Sequence, residues 1–337
     1  MSGLLGAAEI REIAARIGVN PTKKLGQNFV VDANTCRRIV KSADVVESDV
    51  ALEIGPGLGS LTLALLEIAK EVVVVEIDER LAAELPQTVE RHNFDPNRLT
   101  VVTQDAMTVD SLPLAPTVLV ANLPYNISVP VLLRFMEKFP TLRSGVVMVQ
   151  SEVADRLVAT PGSKNYGSPS VKATWWADMS PAGTVGRSIF WPVPNVDSSL
   201  VRFVRHEAAG DEGLRLKTFE VIDAAFAQRR KMLRGALSEL CGGSAAASEI
   251  ITAAGVDPTT RGSAIAKPVP MMTIRIENCS SLGNCFQPSF NEVLLLQHLS
   301  GASHESLGRL PQGSVQSDRR PLGHLGEHRL AIQQQYE

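Results

Sequence analysis

The segment with the most chemical content is Asn122-Leu123-Pro124-Tyr125-Asn126-Ile127-Ser128. It sets two hydrogen-bond acceptors side by side, the Asn122 side-chain carbonyl and the Leu123 backbone carbonyl. The exocyclic amine of a nucleobase is a poor nucleophile because its lone pair is delocalised into the ring. A carboxylate base helps little, since the neutral amine is very hard to deprotonate. Two acceptors can instead take both N–H groups, drive the nitrogen toward tetrahedral geometry and aim its lone pair at an electrophile. Pro124 restricts Leu123 to extended backbone and so fixes where that carbonyl points. Tyr125 offers a flat ring for an unstacked base. A strand-ending turn with a packed tyrosine has the same composition, so the segment takes its meaning from its neighbours.

A second constellation lies upstream, in Glu53-Ile54-Gly55-Pro56-Gly57-Leu58-Gly59-Ser60. A strand running through a glycine turn into a helix lets a ligand approach the backbone closely at Gly55, Gly57 and Gly59. Glu76 ends the next strand 21 residues after Gly55, where a carboxylate can accept from a ribose diol. Asp105 follows the strand after that and can accept from an adenine amino group. The spacing is GxGxG, unlike the GxGxxG that seats a pyrophosphate, and no Lys-Ser/Thr follows as in a P-loop. What fits is a nucleoside with an amino-acid tail in place of phosphates, namely S-adenosyl-methionine. Its sulfonium carries its own leaving group, so no metal, nucleophile or covalent intermediate is expected.

Positioning these residues requires a sheet. From Val50 the chain alternates β-branched runs with helical patterns, which predicts βαβ units around a parallel sheet. Strands are expected at Val50–Ile54, Glu71–Glu76, Leu99–Thr103, Thr117–Ala121 and Gly145–Gln150, with a crossover helix before each but the first. The helices would be Leu61–Ala69, Glu79–Arg91, Pro130–Phe139 and Ser151–Val158. After the loop Thr160–Pro169, strand-like runs at Ser170–Trp176 and Ser198–Val204 would extend the sheet with antiparallel pairing. Helices are then expected at Leu214–Phe226, Arg229–Leu240 and Ala246–Ala254. The parse is an amphipathic helix in 1–20, with Ile10, Ile13, Ala14 and Ile17 on one face, an α/β domain in 21–210, a small helical domain in 211–262 and a tail in 263–337. The tail holds seven of the twelve glutamines and four of the six histidines, loses periodicity and reads as poorly ordered.

Length and charge set outer limits. The 337 residues are 44 % hydrophobic, enough for a sizeable core, and 33 Lys+Arg against 36 Asp+Glu give a net charge of −3. Any nucleic-acid contact must therefore use local positive charge. Four cysteines, at 36, 241, 279 and 285, form no CxxC pair or secreted-type framework, which predicts reduced thiols in a cytoplasmic protein. No apolar run approaches the ~18–20 residues of a membrane span.

Together, Leu25-Gly-Gln-Asn28-Phe29, Glu53-Ile-Gly-Pro-Gly57, Asn122-Leu-Pro-Tyr125-Asn-Ile-Ser128, Pro194-Asn-Val-Asp197-Ser198 and Phe226-Ala-Gln-Arg229-Arg230-Lys231 resemble the small-subunit ribosomal RNA adenine N6,N6-dimethyltransferases of the KsgA type. The resemblance spans about residues 20–262. It implies a Rossmann-like S-adenosyl-methionine-dependent methyltransferase fold with a mostly parallel seven-stranded sheet and a small C-terminal helical domain that docks on rRNA. The implied reaction places two methyl groups on N6 of each of two adjacent adenines near the 3′ end of 16S rRNA, late in small-subunit assembly, by a monomer without membrane association. Carried over by position, Asn28, Val30, Gly55, Gly57, Gly59, Glu76, Asp105 and Asn122 would contact the methyl donor. Asn122 to Tyr125 would hold the adenine, and Phe190 would form the second side of an aromatic sandwich; it reads equally as a core aromatic beside Trp191.

Positive charge sits at Lys23, Lys24, Arg37 and Arg38 and again at Arg229, Arg230, Lys231 and Arg234. Such clusters are ordinarily solvated faces, but an RNA substrate makes the second group, and with it Lys23 and Lys24, candidates for phosphate contact. The family pattern continues through Gly255-Val-Asp-Pro-Thr-Thr-Arg261-Gly262, where an acidic residue and a last helix should follow; the chain reads Ser263-Ala-Ile-Ala-Lys-Pro-Val-Pro270 instead. An altered reading frame or substituted C-terminus would weaken rRNA docking more than cofactor binding. His324 and His328, four apart in that tail, are a weak metal-ligand spacing. Two rivals stay open: a large-subunit rRNA adenine methyltransferase of the antibiotic-resistance type, which shares the glycine loop, and an assembly factor that needs no turnover. Leu123 speaks against DNA adenine methyltransferases, which more typically carry a second proline there.

Overall fold

In the computed structural model, residues 3–21, 28–228 and 230–264 are described. The chain begins with α1 (Ala7–Arg16), β1 (Phe29–Val30) and α2 (Ala33–Ser42). The alternating core follows: β2 (Val50–Ile54), α3 (Ser60–Leu66), β3 (Glu71–Glu76), α4 (Glu79–Arg91), β4 (Leu99–Thr103), β5 (Val118–Asn122), α5 (Ser128–Lys138), β6 (Ser144–Gln150) and α6 (Ser151–Leu157). Then come α7 (Ser168–Ala173), β7 (Ala177–Val185), β8 (Phe190–Trp191), β9 (Ser198–Arg205), α8 (Glu212–Ala227), α9 (Leu233–Ala236) and α10 (Ser244–Ala253).

Seven strands form one sheet in the order β4-β3-β2-β5-β6-β9-β7. The first five are parallel, and β9 pairs antiparallel with β6 and β7. Because successive side chains point to opposite faces, each β-branched run feeds two cores. Val72, Val74, Val118 and Val120 join α1 to α4 on one face, whereas Val73, Val75, Leu119 and Ala121 join α5 and α6 on the other. The order reverses between β2 and β5, and their carboxyl ends open the crevice where such sheets bind ligands. At the opposite edge, both carboxylate oxygens of buried Asp49 accept from Arg143 Nη2 (2.6 and 2.8 Å) and one accepts from Thr117 Oγ1 (2.7 Å), tying the entries of β2, β5 and β6.

Before the sheet, α1 turns Ile10, Ile13 and Ala14 inward, as its spacing predicts. Arg16 and Arg91 both pair with buried Glu84, His92 meets Glu9 at 3.0 Å, and Arg80 donates to the Gly18 carbonyl. These contacts moor α1 along α4. After the sheet, α8, α9 and α10 enclose a third cluster, with Phe226, Leu233, Leu237, Ala247 and Ile251 packed against Tyr166 and Val171. Among the described residues no helix is long and apolar enough to cross a membrane. The tail beyond Ala264, including His324 and His328, lies outside the described residues.

Several expectations need correction. Ser170–Trp176 is not a strand. Val171, Ala173 and Trp175 mimic a period of two, but Pro169 suits a first helical turn and Ser170 Oγ accepts from the Gly167 N–H at 3.1 Å, so a helix forms. The strand comes next, at Ala177–Val185, hidden in sequence by Pro181 and Gly183; an edge position and a bulge accommodate both. Nor is Arg229–Leu240 one helix. The N–H groups of Leu233 and Arg234 go to the Thr260 and Pro258 carbonyls, and Met232 bridges to Arg261, so only Leu233–Ala236 is helical. Between Thr103 and Val118 a turn capped by Asp105 replaces the expected crossover helix. Helix α2 and the β1–β8 pair were not foreseen, although Asp32 caps α2 by accepting from Thr35 N at 2.6 Å.

Gly145 leaves no room for a side chain in the sheet: a Cβ would fall 2.3 Å from the Leu119 carbonyl oxygen and 2.5 Å from the Phe203 ring. Gly145→Ala should cost about 3 kcal/mol through overpacking against a backbone that cannot give way. Urea unfolding of this variant reads it directly, and an unchanged midpoint would contradict the packing described.

Candidate functional site

The carboxyl ends of β2, β3 and β5 converge on a cavity of about 260 Å³. Its walls include Asn28, Val30, Gly55, Gly57, Glu76, Asp105, Asn122 and Pro124, so residues scattered over 97 positions of chain share one space. Gly59 is absent from this wall: it carries φ +95° at the start of α3, and a Cβ there would lie 3.1 Å from Leu85. Its role is to let α3 pack on α4. Gly57, with φ +57°, needs its missing side chain for a different reason. A Cβ would fall 2.7 Å from the Phe29 ring, which lies over the glycine turn.

Glu76 is held by three backbone donors, Gly57 N–H at 3.2 Å, Ile77 N–H at 2.9 Å and Asp78 N–H at 3.0 Å. Burial raises its pKa above the ordinary carboxyl value, and the three N–H groups oppose that rise. Glu53, unassigned from sequence although it opens the glycine motif, is fully enclosed and accepts from Thr62 Oγ1 at 2.6 Å. Burial pushes it up to about 8, with nearby Glu76 adding to the shift. Two carboxyls crowded beside one cavity favour a positively charged occupant, which would relieve both. A carboxyl inside an otherwise apolar strand, Ala-Leu-Glu53-Ile, was the readable signal.

Asn122 Nδ2 donates to the Asn28 carbonyl at 3.1 Å. Since a backbone carbonyl can only accept, the amide must turn its NH₂ toward Asn28, which leaves Oδ1 as the acceptor on the other side. Leu123 is buried and its N–H donates to the Met148 carbonyl at 3.1 Å. Tyr125, half-buried, shares a 2.9 Å hydrogen bond with Ser198 Oγ. Val30 is fixed by Ser60 Oγ donating to its carbonyl at 2.6 Å.

The structure does not bring every candidate to the cavity. Phe190 is 2 % exposed, is paired in β8 with Val30 and is part of the core cluster, so its place here is that of a core aromatic. Lys23, Lys24 and Arg229 lie outside the described residues. Arg230, Lys231 and Arg234 are exposed around the start of α9, Arg234 close to Asp257. Arg37 is engaged by Glu67 at 2.6 Å, and Arg38 donates to the Thr184 carbonyl, so both serve the fold. Among the described residues no group of three or more His, Cys, Asp or Glu is placed to hold a metal ion.

Residues 18–266 match the family described as ribosomal RNA adenine dimethylase. The chain belongs to the ribosomal RNA adenine dimethylase family. It is 60 % identical over 261 residues to the ribosomal RNA small subunit methyltransferase A of Leifsonia xyli subsp. xyli, covering 77 % of this chain and 93 % of that protein. Its counterpart from Streptomyces griseus is 58 % identical over 265 residues, with 78 % and 91 % covered. The fold is also that of a dimethyladenosine transferase from Plasmodium falciparum, with a TM-score of 0.59 at 24 % identity, covering 71 % of this chain and 93 % of the other. The 23S rRNA methyltransferase ErmE shares it at a TM-score of 0.54 and 24 % identity, with 70 % and 93 % covered. Like other members of the family, the chain therefore has a Rossmann-like, S-adenosyl-methionine-dependent methyltransferase fold. The family match stops at 266, just past the departure at Ser263.

The folded protein keeps Glu53 neutral up to about pH 8, whereas an unfolded chain ionises it near 4.5. Its contribution to stability is therefore fully present below pH 4.5 and is lost as pH rises toward 8. Glu53→Gln keeps an acceptor for Thr62 and removes the titration. Urea midpoints at pH 5 and pH 8 should show the variant gaining on the wild type at the higher pH; parallel curves would contradict the assignment.

Proposed function

We propose that this chain dimethylates N6 of two adjacent adenosines near the 3′ end of 16S rRNA in the small ribosomal subunit, using S-adenosyl-methionine, as part of ribosome biogenesis. The observation that carries this reading is the Asn122–Asn28 hydrogen bond, which leaves an amide oxygen as acceptor beside the cavity, at the carboxyl edge of the sheet. Family membership supports the rRNA adenine substrate, and the names borne by the relatives favour the small subunit over the large.

When bound, S-adenosyl-methionine supplies a methyl group on a positively charged sulfonium. The chain's own residues do the rest. Glu76, already pinned by three N–H groups, accepts from ribose hydroxyls with its remaining lone pairs, and Asp105 accepts from the adenine amino group. Asn28, Val30 and the turn at Gly55 and Gly57 line the space between. Asn122 Oδ1 and the Leu123 carbonyl take the two N–H groups of the target amine, Pro124 holds the second acceptor in place, and the Tyr125 ring stacks on the base. The buried Glu53 and Glu76 carboxyls favour the cationic donor over its neutral product, which assists product release between successive methyl transfers.

The helical segment 211–262 serves in this reading as the rRNA-docking domain, with Arg229, Arg230, Lys231 and Arg234 contacting phosphates; Lys23 and Lys24, at the start of the α/β domain's sequence, add charge. The protein acts as a cytoplasmic monomer, without a membrane or a metal. Turnover, rather than binding alone, is the function.

The test is incubation of the full chain with unmodified small subunits and labelled methyl donor, followed by mapping of the modified adenines. Label should fall on two adjacent 16S adenosines, and Asn122→Ala should lower kcat about 100-fold, the scale of losing a transition-state hydrogen bond in a closed site. Label confined to large-subunit rRNA, or none, would overturn the reading. Full rescue of subunit maturation by the inactive variant would favour an assembly factor.

A further inference from the structure

Tyr125 sits on an irregular turn between β5 and α5, yet its ring must present a plane whose height relative to Asn122 is fixed. The turn's own bonds are modest: Ile127 N–H to the Pro124 carbonyl at 3.2 Å and Ser128 Oγ to the Tyr125 carbonyl at 3.4 Å. Neither touches the ring. Ser198 does, through the 2.9 Å hydrogen bond between the two hydroxyls. We infer that Ser198 is a positioning residue, whose hydroxyl anchors the far end of the Tyr125 ring and so sets the platform for the target base. This rests on the reading of Tyr125 as that platform.

The geometry suits the role. Ser198 is 1 % exposed and begins β9, registered to Gln150 of β6 on one side and to Val185 of β7 on the other. Its backbone is held from both flanks, which makes it a far stiffer reference than the turn carrying Tyr125. The preceding residue is anchored too, since the Asp197 carbonyl accepts from Ser151 N–H at 2.9 Å and its carboxylate pairs with Arg187 at 2.9 Å. The phenol oxygen lies on the ring's long axis, so one bond at that atom fixes the direction of the axis while leaving the ring free to turn about it. A base can thus seat the face it needs without the ring swinging away from Asn122. Burial raises the Tyr125 pKa, which keeps its hydroxyl protonated and able to donate.

The experiment uses the full chain on unmodified small subunits with Ser198→Ala, Ser198→Thr, Tyr125→Phe and the Ala/Phe double variant, measuring kcat alongside affinity for S-adenosyl-methionine. Each hydroxyl deletion should lower kcat about 10-fold, in keeping with the cost of misplacing a reacting group, with cofactor affinity changed less than about 2-fold. The double variant should be no worse than either single, because both remove the same bond. Ser198→Thr, which keeps a hydroxyl, should recover most of the rate. Unchanged kcat in Ser198→Ala, or losses that multiply in the double variant, would overturn the proposal. Should Ser198→Ala fail to fold, Tyr125→Phe against Ser198→Thr decides on the same criteria. A wild type that methylates small subunits while the deletions do nothing sinks this inference alone; a wild type inactive on them sinks the function and this inference with it.

Discussion

A single hydrogen bond, from the Asn122 amide to the Asn28 carbonyl, joins the two halves of the site. It spans the chain from the segment before β1 to the end of β5, and it decides which face of the amide is an acceptor. Much of the rest of the architecture secures its two ends. On one side, β1 pairs with β8 and Ser60 clasps the Val30 carbonyl, so Asn28 is held by the strand that follows it. On the other side, Asn122 ends a strand paired to β6, with Leu123 N–H continuing that ladder to Met148. A site built from one rigid strand and one strapped-down segment can hold an amide orientation that an isolated loop could not.

The same cavity stores an electrostatic cost. Glu53 and Glu76 would each be easier to bury as neutral groups or as apolar side chains, and both are pushed toward protonation. Thr62 and three backbone N–H groups offset part of the penalty without removing it. A fold selected for stability alone would have an apolar residue at position 53, in the middle of a strand otherwise filled by Ala51, Leu52 and Ile54. Carboxyls retained there make chemical sense beside a cationic ligand, whose charge lowers their pKa values and is itself favoured by them. Stability and binding are thus opposed at these two positions, and the cavity is the place where binding prevails.

Residues whose role is local were legible in the sequence; those whose role depends on distant partners were not. Strands β2 and β3 stand at the boundaries their runs predict, because burial on both faces leaves little room for other residue types, and the partly buried edge strand β4 does so through Val101 and Val102. Glu76, Asp105 and Asn122 announce themselves at strand ends by spacing alone. By contrast, β7 is concealed by proline and glycine that only an edge position and a bulge tolerate, and α7 imitates a strand through Val171, Ala173 and Trp175. The N–H groups of 233 and 234 are captured by a segment more than twenty residues later, which no local pattern reveals. Phe190 shows the limit from the other side: its motif suggests a base partner, while strand pairing with Val30 places it in the core.

The position of the C-terminal departure matters for what it can affect. Among the described residues, the cavity draws its walls from the stretch between Asn28 and Ile127. The helical cluster is packed up to the point of departure: Gly262 lies so near the Ala225 carbonyl that a Cβ would approach it to 2.5 Å, and the Ser263 carbonyl accepts from Gly162 N–H at 2.8 Å. Among the described residues, the cavity lining, the Asn122–Asn28 bond and the Tyr125–Ser198 bond all lie before that point in the chain. Under the proposed function, a change of sequence beyond Ser263 adjoins the helical segment assigned to rRNA docking, so the effect we propose for it lies in the affinity for the subunit and in the salt dependence of that affinity.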